Sequence, residues 1–126
     1  MGVTLGTGSF GRVRLAKQKN TGAYWAIKIL KKSEIIKLKQ VDHILNETNI
    51  LQQLHHNFIT KMEGFTQDDR YLYLVIEFVR GGELFTFLRG KGKFDATQAQ
   101  FYAAQVVAMF EYMHSKNIVY RDLKPE

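Results

Sequence analysis

Apolar and polar positions alternate through the first thirty residues, then shift to a spacing of three and four, so the chain reads as sheet first and helix second. Strands are expected over residues 3–7, 12–17 and 24–30, separated by a glycine-rich segment and by Asn20-Thr21-Gly22, a reverse-turn sequence. Together they make an antiparallel three-strand meander. Residues 31–39 form a basic, short helical connection. From Val41 onward, Val41, Ile44, Leu45, Thr48 and Leu51 follow helical spacing and make an apolar stripe. After the polar break His55-His56-Asn57, two more strands are expected at residues 61–66 and 71–79, joined through Gln67-Asp68-Asp69-Arg70.

Gly81-Gly82 then permits a sharp change of direction into a short helix over residues 83–88, with a loop at Gly90 and Gly92. Asp95, followed three positions later by Gln98, reads as a helix cap whose carboxylate accepts from exposed backbone N–H groups. Behind it Tyr102, Val106, Met109, Phe110 and Met113 describe one apolar face of a long helix. Few residues follow to cover that face. Several of its side chains are expected to stay partly wet, at roughly 1.5 to 3 kcal/mol for each one denied full burial.

Composition narrows the picture without deciding it. A length of 126 residues suits one domain, and 45% apolar with 24% charged residues suits a folded globule. Eighteen basic against twelve acidic residues give a net charge of +6, which attracts phosphates, acidic proteins or nucleic acid alike. The cations are scattered and no zinc-finger or recognition-helix spacing accompanies them, so nucleic acid is not an expected partner. Without cysteine there is no disulfide, thiolate metal site or cysteine nucleophile, which suits a cytoplasmic location, with the nucleus as a second. The longest apolar run, residues 71–79, contains Glu77 and is far shorter than a bilayer span, so no membrane partner is expected. Met1-Gly2 lacks the serine or threonine at position 6 that myristoylation uses, since Gly6 stands there.

The chemistry begins at Gly6, Gly8 and Gly11, a G-x-G-x-x-G spacing whose plain alternative is a tight turn between strands. A dinucleotide fold needs a helix immediately after such a loop, but residues 12–17 read as a strand with Val13 and Leu15 alternating. A P-loop would need Gly-Lys followed by Ser or Thr, which is missing. What remains is a strand, glycine loop, strand arrangement that lets backbone N–H groups approach phosphates, with Phe10 at the tip to shield them from water. Lys28 taken alone reads as a surface lysine, yet alternation puts Ala26, Lys28 and Leu30 on one strand face and Ile27 and Ile29 on the other. Glu47 falls on the helix's apolar stripe, three residues after Ile44 and four before Leu51. A carboxylate there is costly to desolvate unless paired, and Lys28 is the expected partner.

With Gly6-x-Gly8-x-x-Gly11-x-Val13, Ala26-Ile27-Lys28, helical Glu47 and Tyr120-Arg121-Asp122-x-Lys124-Pro125-Glu126 in this order, the chain resembles the protein kinase superfamily. Gly6-Thr7-Gly8-Ser9-Phe10-Gly11, Val79-x-Gly81-Gly82-Glu83-Leu84-Phe85 and Phe101-Tyr102-Ala103-Ala104-Gln105 make it most similar to the family of cAMP-dependent protein kinase catalytic subunits. The Lys124-Pro125-Glu126 ending is unlike tyrosine kinases, which usually carry alanine or arginine near position 124.

The resemblance implies an α+β fold. Residues 1–79 would be a kinase-like small lobe with hinge, a five-stranded antiparallel sheet plus one main helix, and residues 80–126 the first helices of the large lobe, truncated in the catalytic loop. It also implies ATP and Mg²⁺ as cofactors, basic serine/threonine protein substrates, and a cAMP-binding regulatory subunit as a partner.

Residue by residue, the resemblance implies that Leu5, Val13 and Ala26 enclose adenine, with Ile76 as gatekeeper and the backbones of Glu77 and Val79 as hinge. Gly6, Thr7, Gly8, Ser9, Phe10 and Gly11 cover the phosphates. Lys28, held by Glu47, contacts them. Asp122 orients the substrate hydroxyl and accepts its proton, while Lys124 neutralises the transferred phosphate. Glu83 and Glu126 bind substrate arginines, and Arg121 and His43 meet an activation-loop phosphate. The family places an asparagine and an Asp-Phe-Gly segment, both holding magnesium, after the position matching Glu126. The chain as written is therefore expected to be inactive, and the alternative is a non-catalytic nucleotide-binding or dimerisation module. Trp25, Arg80 and Thr48-Asn49 depart from residues more usual in that family.

Overall fold

The computed structural model describes residues 1–125. The elements run β1 (Thr4–Gly8), β2 (Gly11–Lys17), β3 (Tyr24–Lys31), α1 (Lys32–Lys37), α2 (Val41–Gln53), β4 (Met62–Gln67), β5 (Tyr71–Glu77), α3 (Leu84–Lys91) and α4 (Ala96–Ser115). They fall into two compact units. One comprises Met1–His55 with Thr60–Phe78, and the other comprises His56–Ile59 with the chain from Val79 onward.

The first unit is a five-stranded sheet in the order β1-β2-β3-β5-β4, with every neighbouring pair antiparallel. The β2–β3 hairpin turns where the sequence places Asn20-Thr21-Gly22. Gly22 adopts φ 72°, a conformation that costs glycine little, and its N–H donates to the Gln18 carbonyl at 2.9 Å. The β4–β5 turn is built by Asp68, whose Oδ1 accepts from the N–H groups of Arg70 and Tyr71 at 2.8 and 2.7 Å. Its Oδ2 accepts from the Tyr73 hydroxyl at 2.6 Å. These donors, the Tyr73 hydroxyl foremost, hold the Asp68 carboxyl below the usual carboxylate range, and the same bond raises the Tyr73 phenol. The backbone N–H of Lys32 donates to the Arg70 carbonyl at 2.9 Å, joining the start of α1 to this turn.

Register assigns the faces. Gly6 stands opposite Val13, Val13 opposite Lys28, and Lys28 opposite Leu74. Ala26 lies between Leu15 and Ile76, and Leu30 between Gly11 and Leu72. All of these positions share one face, because directly paired residues and residues two apart point the same way. One end of that face is closed by helices, where Leu30 and Leu74 pack with Ile35 of α1 and Ile44 of α2, supported by Phe10, Leu72 and Ile76. Burying a leucine side chain there contributes about 1.5 to 3 kcal/mol.

Two expectations change in this unit. β5 ends at Glu77 rather than at residue 79. The contact seam of α2 is narrower than its periodicity implied, with Ile44 and Thr48 buried while Val41 and Leu45 are exposed. Thr48 tolerates burial because its hydroxyl donates to the Ile44 carbonyl at 2.8 Å. Phe10 packs against the Leu30–Leu74 cluster and also borders the hollow under the glycine hairpin.

In the second unit α4 starts as expected, with Asp95 Oδ1 accepting from the Gln98 N–H at 2.8 Å. Met113 is buried and Tyr102, Val106, Met109 and Phe110 are half-buried, while Phe101 and Val107 on the other side are exposed. Helix α3 runs through Gly90, where a loop was expected, and stops at Gly92 with φ 81°. Phe87, Phe94 and Tyr102 link the two helices through ring contacts at 5.8 and 5.0 Å. Residues 56–59 belong here too. The His56 ring lies 5.1 Å from that of Tyr112, and its Nδ1 accepts from the Phe58 N–H at 3.1 Å. Among the described residues no helix is long and apolar enough to cross a membrane.

Candidate functional site

The uncovered end of the inner sheet face forms a concavity of about 300 Å³, bordered by the Gly6–Val13 hairpin and floored by Lys28 and Leu30. The three glycines of the motif are not equivalent. A Cβ on Gly11 would overlap the Ile29 carbonyl oxygen, so glycine there is a packing requirement of the sheet. A Cβ on Gly6 or Gly8 would meet nothing within 4 Å. Strand geometry therefore does not demand glycine at those two positions, and their bare backbones keep the space above Val13 and Lys28 open. That is the shape a chain of phosphates needs, since N–H groups can reach anionic oxygens only where side chains do not stand between.

Lys28 is the cation at the floor of this space, and Arg12 borders it. Its Nζ lies 3.6 Å from Glu47 Oε1, an ion pair rather than a tight hydrogen bond. The expected pairing is present, but its expected cause is not. Glu47 is 47% exposed and Lys28 33%, so the carboxylate is not forced into partnership by burial. Because Ile44 and Thr48 are the buried residues of α2, position 47 lies at the edge of the seam where water still reaches.

Val13, Ala26 and Ile76 are half-buried on the same face and make an apolar surface beside Lys28. Leu5 lies at the irregular register between Thr4 and Gly6 and is exposed. Thr7 and Ser9 border the concavity. The Glu77 N–H is engaged by the Lys61 carbonyl at 2.9 Å, so that peptide's remaining group for a ligand is its carbonyl. Val79 belongs to the other unit, lies outside any strand and is 61% exposed. Leu30, which alternation puts on the same face as Lys28, also lines the concavity.

The second unit holds the remaining candidates on an irregular segment after α4. Asp122 Oδ2 and Lys124 Nζ are 3.2 Å apart, with the aspartate 78% exposed. The segment is tied at one end by the Phe85 N–H donating to the Pro125 carbonyl at 2.8 Å and at the other by the Ile118 N–H donating to the Met113 carbonyl at 3.0 Å. Tyr120 lies 6.4 Å from the Phe110 ring. Glu83 is exposed at the start of α3 and its side chain makes no capping bond. His43 engages Gln40 Oε1 through Nδ1 at 2.7 Å. Glu126 lies outside the described residues.

ATP fits the donor set of the concavity, where a lysine, exposed backbone and an apolar wall converge. Among the described residues no group of three or more His, Asp or Glu side chains is placed to hold a metal ion by itself.

A sheet of this order, a glycine hairpin over a strand lysine and a helix glutamate paired to that lysine define a nucleotide-binding lobe of the protein-kinase type. Comparison with known families matches the protein kinase domain across residues 1–126, and the chain belongs to that family. It is 51% identical over 123 residues to cAMP-dependent protein kinase catalytic subunit 3 of Drosophila melanogaster, covering 98% of this chain and 21% of that protein. It is 50% identical to the mouse cAMP-dependent protein kinase catalytic subunit PRKX, covering 98% of this chain and 35% of the relative. The same identity is found with cAMP-dependent protein kinase type 3 of Saccharomyces cerevisiae, of which it spans 31%. The chain thus spans about a fifth to a third of the length of these relatives.

Proposed function

We propose that this chain supplies the nucleotide-binding and hydroxyl-orienting parts of an ATP-dependent serine/threonine protein kinase acting on basic peptide segments. The observation that carries the reading is the Lys28–Glu47 pair at 3.6 Å beneath a hairpin whose Gly6 and Gly8 face open space. ATP contributes the phosphoryl group that is transferred. Lys28 binds its phosphates, held in orientation by Glu47. Val13, Ala26 and Ile76 take the adenine against an apolar wall, with Leu5 at the hairpin edge and the backbones of Glu77 and Val79 as the hinge. Asp122 orients the acceptor hydroxyl and takes its proton, and Lys124 balances the phosphoryl charge, a division in which position matters more than basicity. Glu83 provides an anion for a substrate arginine. Relatives named as cAMP-dependent support a regulatory partner that binds cAMP.

A second reading is nucleotide binding without turnover. The internal Asp122–Lys124 ion pair favours it, since each group is the other's partner in this conformation. The deciding experiment combines a fluorescent ATP analogue with transfer of labelled phosphate to a basic serine peptide. Binding and transfer that both fall in Lys28→Ala support the kinase reading. Lys28-dependent binding with no transfer supports the second, and binding unaffected by Lys28→Ala overturns both.

A further inference from the structure

The sheet face opposite the concavity takes no part in the proposed reaction, and register gives it a different chemistry. Arg12, Arg14 and Ala16 of β2 stand opposite Ile29, Ile27 and Trp25 of β3, which in turn stand opposite Tyr73, Val75 and Glu77 of β5. Lys31 stands opposite Tyr71. A hollow of about 380 Å³ opens on this face, lined among others by Ala16, Lys17, Trp25, Ile27, Glu63 and Val75. Arg14 shares the Ile27–Val75 row at its edge, while Arg12, two residues along, borders the glycine-hairpin concavity.

The charges here are unbalanced. Among the described residues neither Arg14 nor Lys31 enters an ion pair, and the guanidinium of Arg14 is bonded to the neutral carbonyl of Gly2 at 3.2 and 2.9 Å. Glu63, at the wall of the hollow, pairs with Lys61 at 2.9 Å, Glu77 accepts from the Lys61 N–H at 3.3 Å, and Asp68 accepts from three donors, so none of these carboxylates is paired with Arg14 or Lys31. An apolar hollow with an indole wall beside uncompensated cations is complementary to a segment that presents one apolar side chain next to carboxylates.

We propose that this outer face docks an acidic peptide segment of a partner protein, its apolar side chain entering the hollow beside Trp25 and its carboxylates meeting Arg14 and Lys31. A net charge of +6 opposes a second copy of this chain as the occupant. Single-stranded nucleic acid needs open ring faces for stacking, whereas Tyr71 and Tyr73 are half-buried, 6.3 Å apart, and the Tyr73 hydroxyl is held by Asp68.

Trp25 is the only tryptophan of the chain, so its emission reads the hollow directly. The chain is titrated with a decapeptide of aspartates and glutamates carrying one central leucine, with the same peptide bearing alanine instead, and with a single-stranded oligonucleotide of equal charge. The expected result is a saturable emission shift with the leucine peptide that weakens with added salt and with leucine-to-alanine replacement. Lys31→Glu, a change at an exposed side chain, and Arg14→Glu should together weaken it roughly tenfold, and Lys31→Glu alone should weaken it in the same direction with an unchanged circular dichroism spectrum. No shift with the leucine peptide overturns the proposal. So does a shift with the oligonucleotide alone, or one that follows protein concentration without ligand.

Discussion

Gly11 and Ile29 meet backbone to backbone, so closely that any side chain at position 11 would collide with the Ile29 carbonyl, whereas Gly6 and Gly8 border open space. One sequence motif thus combines a requirement of the sheet with a requirement of the ligand. Gly11→Ala should destabilise the fold by roughly 1 to 3 kcal/mol, visible as a lower denaturation midpoint. Gly6→Ala and Gly8→Ala should leave that midpoint nearly unchanged, within about 0.5 kcal/mol, while weakening binding of an ATP analogue. Equal destabilisation by all three would refute the distinction.

Lys28 and Glu47 are both partly solvated, so their pairing contributes about 1 kcal/mol or less to stability. Lys28→Ala should therefore melt close to the parent chain yet lose most nucleotide affinity. Glu47→Gln should lose less, because it disturbs the orientation of the lysine without removing its charge. A double-mutant cycle on nucleotide affinity measures the coupling, and strict additivity would show that Glu47 does not act through Lys28.

The Asp68–Tyr73 bond predicts two pH limits. The folded carboxyl titrates below the 3.8 of an unperturbed aspartate, so its contribution is complete above that value and disappears as pH falls through the lower folded value. The Tyr73 phenol is raised above 10.0, so its contribution is complete below that pH and disappears as pH rises through the higher folded value. Urea unfolding across both ranges should show two declining arms. Tyr73→Phe should flatten the alkaline arm and weaken the acid arm, and an unaltered profile would mean that the bond does not persist in solution.

Leu74 lies at the centre of the inner face between Lys28 and Phe65, and its side chain is buried in the cluster with Leu30. Leu74→Ala should cost about 2 to 5 kcal/mol in chemical denaturation. Phe65→Ala, at an exposed position on the neighbouring strand, should cost far less.

Much of this arrangement was legible in the sequence because it depends on short-range rules. Alternation placed Ala26, Lys28 and Leu30 on one face, and the Asp95–Gln98 spacing located the start of α4. The errors arose where a distant part of the fold decides. Helical periodicity made Leu45 look as buried as Ile44, but the two leucines that α2 covers make a narrow strip, and only a three-dimensional contact separates the positions. Phe10 borders the concavity, as its place in the glycine loop implied, and what the sequence did not show is its packing against a cluster whose members come from β3, α1, α2 and β5. Glu47 found its partner for a reason other than the burial inferred for it.

The chain passes between the two units three times, because residues 56–59 belong to the second unit while Thr60–Phe78 return to the first. Dividing the protein between Phe78 and Val79 would not yield two self-contained pieces, because the first would carry away His56, and with it Phe58, while Tyr112, the ring beside His56, stayed on the second. The second piece would lose a patch of its own packing and the first would carry a surplus loop. Recombination of the separately expressed pieces can be followed through the His56 ring as it regains its neighbour.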